Sequence, residues 1–136
     1  MSEGFRIEKR ILFVEDDVSF REVFTRALRE SLAPEQLDVA FVEAGTLAEA
    51  HARLREGGLD AALIDVTMPD GNGLDLVRQI KDGGATSHIP TLVLTANLEN
   101  SVAIVAMDAG ARGALSKLDP MLETVGAIKR LIDAER

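Results

Sequence analysis

Ile11-Leu12-Phe13-Val14-Glu15-Asp16-Asp17 sets four apolar residues in a row and follows them at once with three carboxylates. An unbroken apolar run of this length fits a strand covered on both faces, as inside a parallel sheet. Val39-Ala40-Phe41-Val42 and Ala61-Ala62-Leu63-Ile64 repeat it, Thr91-Leu92-Val93-Leu94 follows as a fourth strand with three apolar residues after its threonine, and Gly113-Ala114-Leu115-Ser116 is a short fifth. Between them lie segments of helical periodicity. Residues 18–31 place Phe20, Phe24, Ala27, Leu28 and Ser31 on one stripe. After a loop at Ala33-Pro34-Glu35, a second helix spans 46–55, with Thr46 as N-cap, Glu49 completing a capping box and Gly57-Gly58 as its stop. The turn Met68-Pro69-Asp70-Gly71-Asn72-Gly73 leads to a third helix over 74–82, which stops at Gly83-Gly84. A fourth covers 98–109. Asp119 as N-cap and Pro120 at the first helical position start the last helix, whose predicted buried stripe is Leu122, Val125, Ile128 and Ile132.

Five strands alternating with five helices predict an α/β fold: a doubly wound parallel sheet with helices on both faces. In such sheets ligands bind outside the carboxyl ends of the strands. Glu15, Asp16 and Asp17 follow the first strand, Asp65 the third, Thr95 the fourth and Lys117 the fifth, so all are expected at one edge. Gathered carboxylates repel, and one lysine cannot offset them all. A hard divalent cation can, and an all-oxygen set favours Mg²⁺ or Mn²⁺. Such a site suits phosphoryl oxygens. Asp65 is then the candidate nucleophile, forming an acyl phosphate. Lys117 is the candidate point charge for one phosphoryl oxygen, and the Thr95 hydroxyl the candidate donor to another.

The chain's 136 residues have the size of one domain, and 1–136 is read as a single unit. Without Cys it can form neither a disulfide nor a cysteine zinc site. Aromatics are 4% with no Trp or Tyr, so the core must be aliphatic. A net charge of −8 argues against direct contact with nucleic acid, which requires clustered Lys and Arg. No apolar run approaches the ~20 residues of a membrane span, and Met1-Ser2-Glu3-Gly4-Phe5-Arg6 lacks the apolar stretch of a signal peptide. The cytoplasm is the expected location, without membrane contact.

Here the chain resembles the receiver domain of two-component response regulators, of the chemotaxis-receiver type. The matching stretches are Ile11 to Asp17, Asp65-Val66-Thr67-Met68-Pro69-Asp70-Gly71-Asn72-Gly73, Val93-Leu94-Thr95-Ala96 and Ser116-Lys117, and the likeness runs from about Lys9 to Leu131. It implies a flavodoxin-like sheet of strand order 2-1-3-4-5. It implies phosphorylation of Asp65 by a histidine kinase or phosphotransfer protein, and a downstream protein target. Transfer and autodephosphorylation would be self-catalysed, with no separate small-molecule substrate. By the same resemblance, Asp16 ligates Mg²⁺ directly, Glu15 acts through water, and the backbone carbonyl of Thr67 joins Asp65 as a ligand. Asp17 is read as a cap for the next helix. Thr67 and Asn97 flank the site and influence acyl-phosphate hydrolysis in the family. His51 and His88 are isolated and read as neither phosphodonor nor ligand.

Two positions depart from the family. Ala114 stands where members usually carry an aromatic whose rotation reports on the Thr hydroxyl. A methyl group has no rotamers, so output must travel by backbone shifts or through a partner's side chain. Leu118 stands where members usually carry a proline after a cis peptide bond. A cis bond before Leu118 would cost roughly 2.5–4 kcal/mol, so a trans bond or an altered turn is expected.

Taken one at a time, the same residues have plainer readings. The acidic triplet suits the start of any helix, Asp65 could cap a turn, Thr95 could cap a helix, and Lys117 could be a surface charge. Gly71-Asn72-Gly73 is read as a turn, not a phosphate cradle. The fourth helix carries Val102-Ala103-Ile104-Val105-Ala106-Met107 in succession. It is either flanked by other helices or part of a homodimer contact with the fifth strand and last helix. A Mg²⁺-dependent phosphatase would need an acid two residues beyond Asp65, where Thr67 stands. A receiver-like binding module that works without phosphate is the alternative to the phosphoacceptor. Met1 and the segment after it favour a free-standing regulator over a receiver cut from a larger protein such as a hybrid kinase.

Overall fold

The computed structural model describes residues 7–97 and 99–133. The expectations placed on Met1–Arg6 and on Leu98 lie outside them. In chain order the elements are β1 (Ile7–Val14), α1 (Val18–Leu32), a 3₁₀ turn (Ala33–Glu35), β2 (Leu37–Ala44), α2 (Leu47–Glu56) and β3 (Ala61–Asp65). Then come β4 (Thr67–Met68), β5 (Gly71–Asn72), α3 (Gly73–Asp82), β6 (Thr91–Thr95), α4 (Asn100–Ala109), β7 (Gly113–Ser116) and α5 (Met121–Asp133). The central sheet is parallel throughout, in the order β2-β1-β3-β6-β7. With the small antiparallel β4–β5 ribbon set aside, that is the expected 2-1-3-4-5.

In β1, β3 and β6 the apolar runs are buried on both faces because alternate residues feed two separate cores. The edge strands β2 and β7, expected from the same signal, are only partly covered and leave Ala40 exposed. Leu12, Val14, Ala62, Ile64 and Val93 point to one side, where Ala50 of α2, Leu76, Val77 and Ile80 of α3, and Ala106 and Ala109 of α4 cover them. Ile11, Phe13, Leu63, Leu92 and Leu94 point to the other, against Phe24, Leu28 and Leu32 of α1 and Val125, Ile128, Leu131 and Ile132 of α5. Each fully buried Leu, Ile or Phe contributes about 1.5–3 kcal/mol, so the sheet's place between the two layers is strongly fixed.

Two predicted stripes need correction. In α1 the buried residues are Phe24, Thr25, Leu28 and Leu32, whereas Ser31 is exposed and bonds back to the Ala27 carbonyl. In α5, Leu122 is 83% exposed and Thr124 and Leu131 are buried instead. At about 100° per residue, Leu122 lies about 120° around the helix from Ile128, so successive steps of three drift off the stripe. The predicted cap of α5 also differs. Pro120 precedes the helix and its carbonyl accepts the first helical N–H bonds, from Glu123 and Thr124. Asp119 instead accepts the Ser116 N–H at 3.0 Å. Helix α4 starts at Asn100, two residues later than expected, because Glu99 is extended. Its apolar run is only partly covered: Ala106 is buried, but Ile104, Val105 and Met107 are exposed.

Asp17 caps α1 through the Phe20 N–H and Thr46 caps α2 through the Glu49 N–H, both at 3.0 Å and both as read from the sequence. The capping box is displaced by one residue, since Glu49 accepts from Gly45 and not from Thr46. A further cap of α2 comes from a distance. Asp70, between β4 and β5, accepts the N–H groups of Leu47 at 2.8 Å and Ala48 at 3.1 Å. Two donors that α2 cannot satisfy itself are thereby paired, and the segment after β3 is tied to α2. The Leu47 N–H bond, joined by that of Ala48 and outweighing desolvation, holds the Asp70 carboxyl below its usual pKa. A depressed native pKa adds stability that is present above the unfolded value of about 3.9 and is lost as pH falls through the native one. In urea denaturation, Asp70→Asn is therefore expected to lower the midpoint by a constant amount between about pH 8 and about pH 5, and by less below about pH 3.9. A difference that persists unchanged in acid would refute the electrostatic cap.

Candidate functional site

The parallel alignment delivers the ends of β1, β3, β6 and β7 to one rim. Glu15 follows β1 and is only 1% exposed. Its backbone is pinned from both sides, its N–H donating to Ala44 at 2.9 Å and its carbonyl accepting Arg21 Nη1 at 2.6 Å. One carboxylate oxygen accepts the Asp17 N–H at 3.0 Å, and the other faces Lys117 Nζ at 2.5 Å. Asp65 ends β3 and is 6% exposed. Its Oδ1 accepts the Thr67 N–H at 3.3 Å, and its Oδ2 accepts from Lys117 Nζ at 3.0 Å. Lys117 therefore bridges the two buried carboxylates. Burial raises the pKa of Glu15, and the opposing contact with Lys117 does not cancel it. Burial alone would lower that of Lys117, but Glu15 and Asp65 together outweigh it and hold the ammonium above its ordinary value.

Lys117 reaches inward from a turn that needs no proline. Ser116 donates its N–H to Asp119 Oδ2, its hydroxyl oxygen accepts the Leu118 N–H, and its carbonyl accepts the Asp119 N–H, each at 3.0 Å. No cis peptide bond occurs among the described residues, in line with the expected trans bond before Leu118.

Carboxylate oxygens of Glu15, Asp16 and Asp65 lie within 4.8 Å of one another. The set is entirely hard oxygen, and exposed Asp16 gives it a solvent side where a cation could keep waters. These residues fit a small divalent cation of the Mg²⁺ type. Thr67 comes to the site through its backbone N–H. Thr95 arrives by register, one residue beyond the Leu94 that pairs with Asp65. Its hydroxyl accepts the Asn97 N–H at 3.2 Å, and its carbonyl accepts the Lys117 N–H at 2.8 Å. Asp17 faces α1 as its cap and stays outside the cluster.

Sequence reasoning missed three supporting residues. Arg21 holds the Glu15 carbonyl and pairs with Glu43 at 3.3 Å; an arginine one turn after the acidic triplet was the available signal. Gly73 was read as part of a turn, yet it opens α3, and a Cβ there would sit 1.9 Å from the Asp65 carbonyl oxygen. Only glycine lets α3 start against the end of β3. Phe20, placed in the core stripe, lies with its ring centroid 4.7 Å from Lys117 Nζ.

Residues 11–128 match the model of the family described as response regulator receiver domain. The DNA-binding transcriptional activator DevR/DosR of Mycobacterium tuberculosis is 36% identical over 132 residues, covering 90% of this chain and 57% of that protein. The chain spans about half the length of the curated relatives it matches. Among solved structures, a two-component response regulator of the LuxR family from Aurantimonas sp. SI85-9A1 superposes with a TM-score of 0.81 at 28% identity, covering 93% of this chain and 86% of that one. The NtrC4 receiver domain, solved as a beryllofluoride-activated dimer, gives 0.75 at 27%, with 93% and 98% covered. Because the matched span takes in part or all of every strand of the central sheet and the rim those strands build, the chain belongs to the receiver domain family of two-component response regulators.

Proposed function

We propose that residues 1–136 act as one receiver unit in which Asp65 accepts a phosphoryl group from a histidine kinase or phosphotransfer protein. The observation that carries this reading is the Asp65 carboxylate itself, buried at a strand end, 3.0 Å from Lys117 Nζ and within 4.8 Å of the Glu15 and Asp16 carboxylates. Mg²⁺ would be held directly by Asp16 and Asp65, through water by Glu15, and by the backbone carbonyl of Thr67. When bound, it supplies the positive charge that phosphoryl oxygens and crowded carboxylates both require.

An Asp65 carboxylate oxygen forms the new bond to phosphorus while the bond from phosphorus to the donor nitrogen breaks, its electron pair remaining on the imidazole. Little acid–base chemistry is needed, so positioning and charge neutralisation dominate. Lys117, anchored by Glu15 as well as by Asp65, stays at the rim while Asp65 reacts and offers its ammonium to a phosphoryl oxygen. The Thr95 hydroxyl donates to another. Hydrolysis by water returns the carboxylate and inorganic phosphate. Ala114 cannot act as a rotating reporter, so the phosphorylated state is passed to a downstream protein by shifts of the backbone or by the partner's side chains.

The proposed location is the cytoplasm; among the described residues no helix is long and apolar enough to cross a membrane. Direct nucleic-acid contact is not proposed for this chain, whose net charge is −8. The exposed Ile104, Val105 and Met107 of α4 support a contact with a second copy through α4, β7 and α5.

Incubation with Mg²⁺ and acetyl phosphate, followed by intact-mass measurement, is expected to show one phosphoryl adduct on the wild type and none on Asp65→Asn. No adduct on the wild type would favour the phosphate-independent binding module. Light scattering over a concentration series is expected to show dimer growing when beryllofluoride and Mg²⁺ are added. A monomer at every concentration in both states would remove the α4 contact.

A further inference from the structure

Lys117 is a flexible four-carbon stem ending in a point charge, and its ammonium is fixed by three contacts. Two are the carboxylates of Glu15 at 2.5 Å and Asp65 at 3.0 Å. The third is the ring of Phe20, whose centroid lies 4.7 Å from Nζ. That distance is within the ~6 Å over which a ring face attracts a cation, and the attraction grows where water is excluded. The Lys117 side chain is 15% exposed, so this contact is largely desolvated.

The Phe20 ring is itself held in place. Its N–H is the one that Asp17 caps, so the acidic triplet fixes the backbone from which the ring projects. The ring stacks on Phe24 at 5.4 Å with planes 23° apart, and Phe24 lies 5.2 Å from Phe13 in the core. On α1 the buried stripe centres on Phe24, Thr25, Leu28 and Leu32, which leaves Phe20 at the margin of the core beside the rim. Phe24, itself packed on Phe13, backs the ring and resists its displacement when the charges in front of it change.

We propose that Phe20 is a positioning residue for phosphoryl transfer, holding the Lys117 ammonium together with its two carboxylate partners. The inference rests on the phosphorylation of Asp65 proposed above. Two carboxylates alone would let Nζ follow whichever carries more charge, and that balance changes as Asp65 is modified. The ring supplies an attraction that does not change during the reaction. Phe20 touches neither phosphoryl donor nor metal in this scheme; it acts through Lys117.

The test compares the rate of acetyl phosphate labelling in Mg²⁺, by intact mass, for wild type, Phe20→Leu, Phe20→Tyr, Lys117→Met and the double variant Phe20→Leu/Lys117→Met. Leucine keeps apolar bulk but removes the ring face, and urea midpoints check that each variant is folded. Phe20→Leu is expected to slow labelling by about 3- to 30-fold, the span that a cation–ring contact of this kind supports. Phe20→Tyr, which retains the ring face, is expected to label within about twofold of wild type. In the Lys117→Met background, Phe20→Leu is expected to change nothing further, as for two groups acting as one unit. Equal rates for wild type and Phe20→Leu would overturn the inference alone, as would the same slowing with or without Lys117, or a tyrosine variant as slow as leucine. Absence of any adduct on the wild type would overturn the phosphoacceptor reading and this inference with it.

Discussion

Two carboxylates, Glu15 and Asp65, are buried at the ends of neighbouring strands, and a third, Asp16, lies close by. Like charges at such spacing repel by about 3–4 kcal/mol per pair at an effective dielectric constant near 20. Within the chain, Lys117 lies between Glu15 and Asp65 and offsets part of that repulsion. One positive charge still leaves the cluster negative, and the remainder is what gives the rim its proposed affinity for a small divalent cation and for the phosphoryl group that such a cation neutralises. The chemistry proposed for Asp65 follows from this imbalance more than from any single side chain.

The fold exists, in this sense, to keep the imbalance in place. Strands buried on both faces cannot slip by one residue without sending an entire apolar set into the wrong core. The register that pairs Val14 with Ile64 and Asp65 with Leu94, and so brings the ends of β1, β3 and β6 to one rim, is therefore fixed by hydrophobic burial well away from the charges. Local devices then refine the positions. Gly73 admits α3 against the Asp65 carbonyl, Arg21 pins Glu15, Asp70 ties the segment after Asp65 to α2, and the Ser116–Asp119 turn aims Lys117.

The strands were legible because their signal is cumulative: four apolar residues together have few other uses, and carboxyl-end placement follows from a parallel sheet. The placement of Glu15, Asp16, Asp65 and Lys117 was legible for the same reason. What escaped reading depends on angle or on distant partners. Ser31 and Leu122 were assigned to buried stripes by steps of three and four, but the covered face of each helix is set by its packing partners and lies to one side. Asp119 has the right spacing for an N-cap, yet α5 starts at Met121, and the Asp119 carboxylate turns back to the Ser116 N–H. The cap that Asp70 places on α2 joins residues more than twenty positions apart, and the Phe20–Lys117 contact joins α1 to the turn after β7; neither leaves a local pattern.

That these scattered groups act on a single bound ligand is the centre of the proposed function. A crystal structure grown with Mg²⁺ and beryllofluoride tests it most directly. Beryllofluoride is expected on an Asp65 carboxylate oxygen, with one Mg²⁺ shared by Asp16 and Asp65 and the Lys117 ammonium and Thr95 hydroxyl both turned to the fluorines. Mg²⁺ bound elsewhere on the surface, or Lys117 and Thr95 directed away from a bare Asp65, would contradict it.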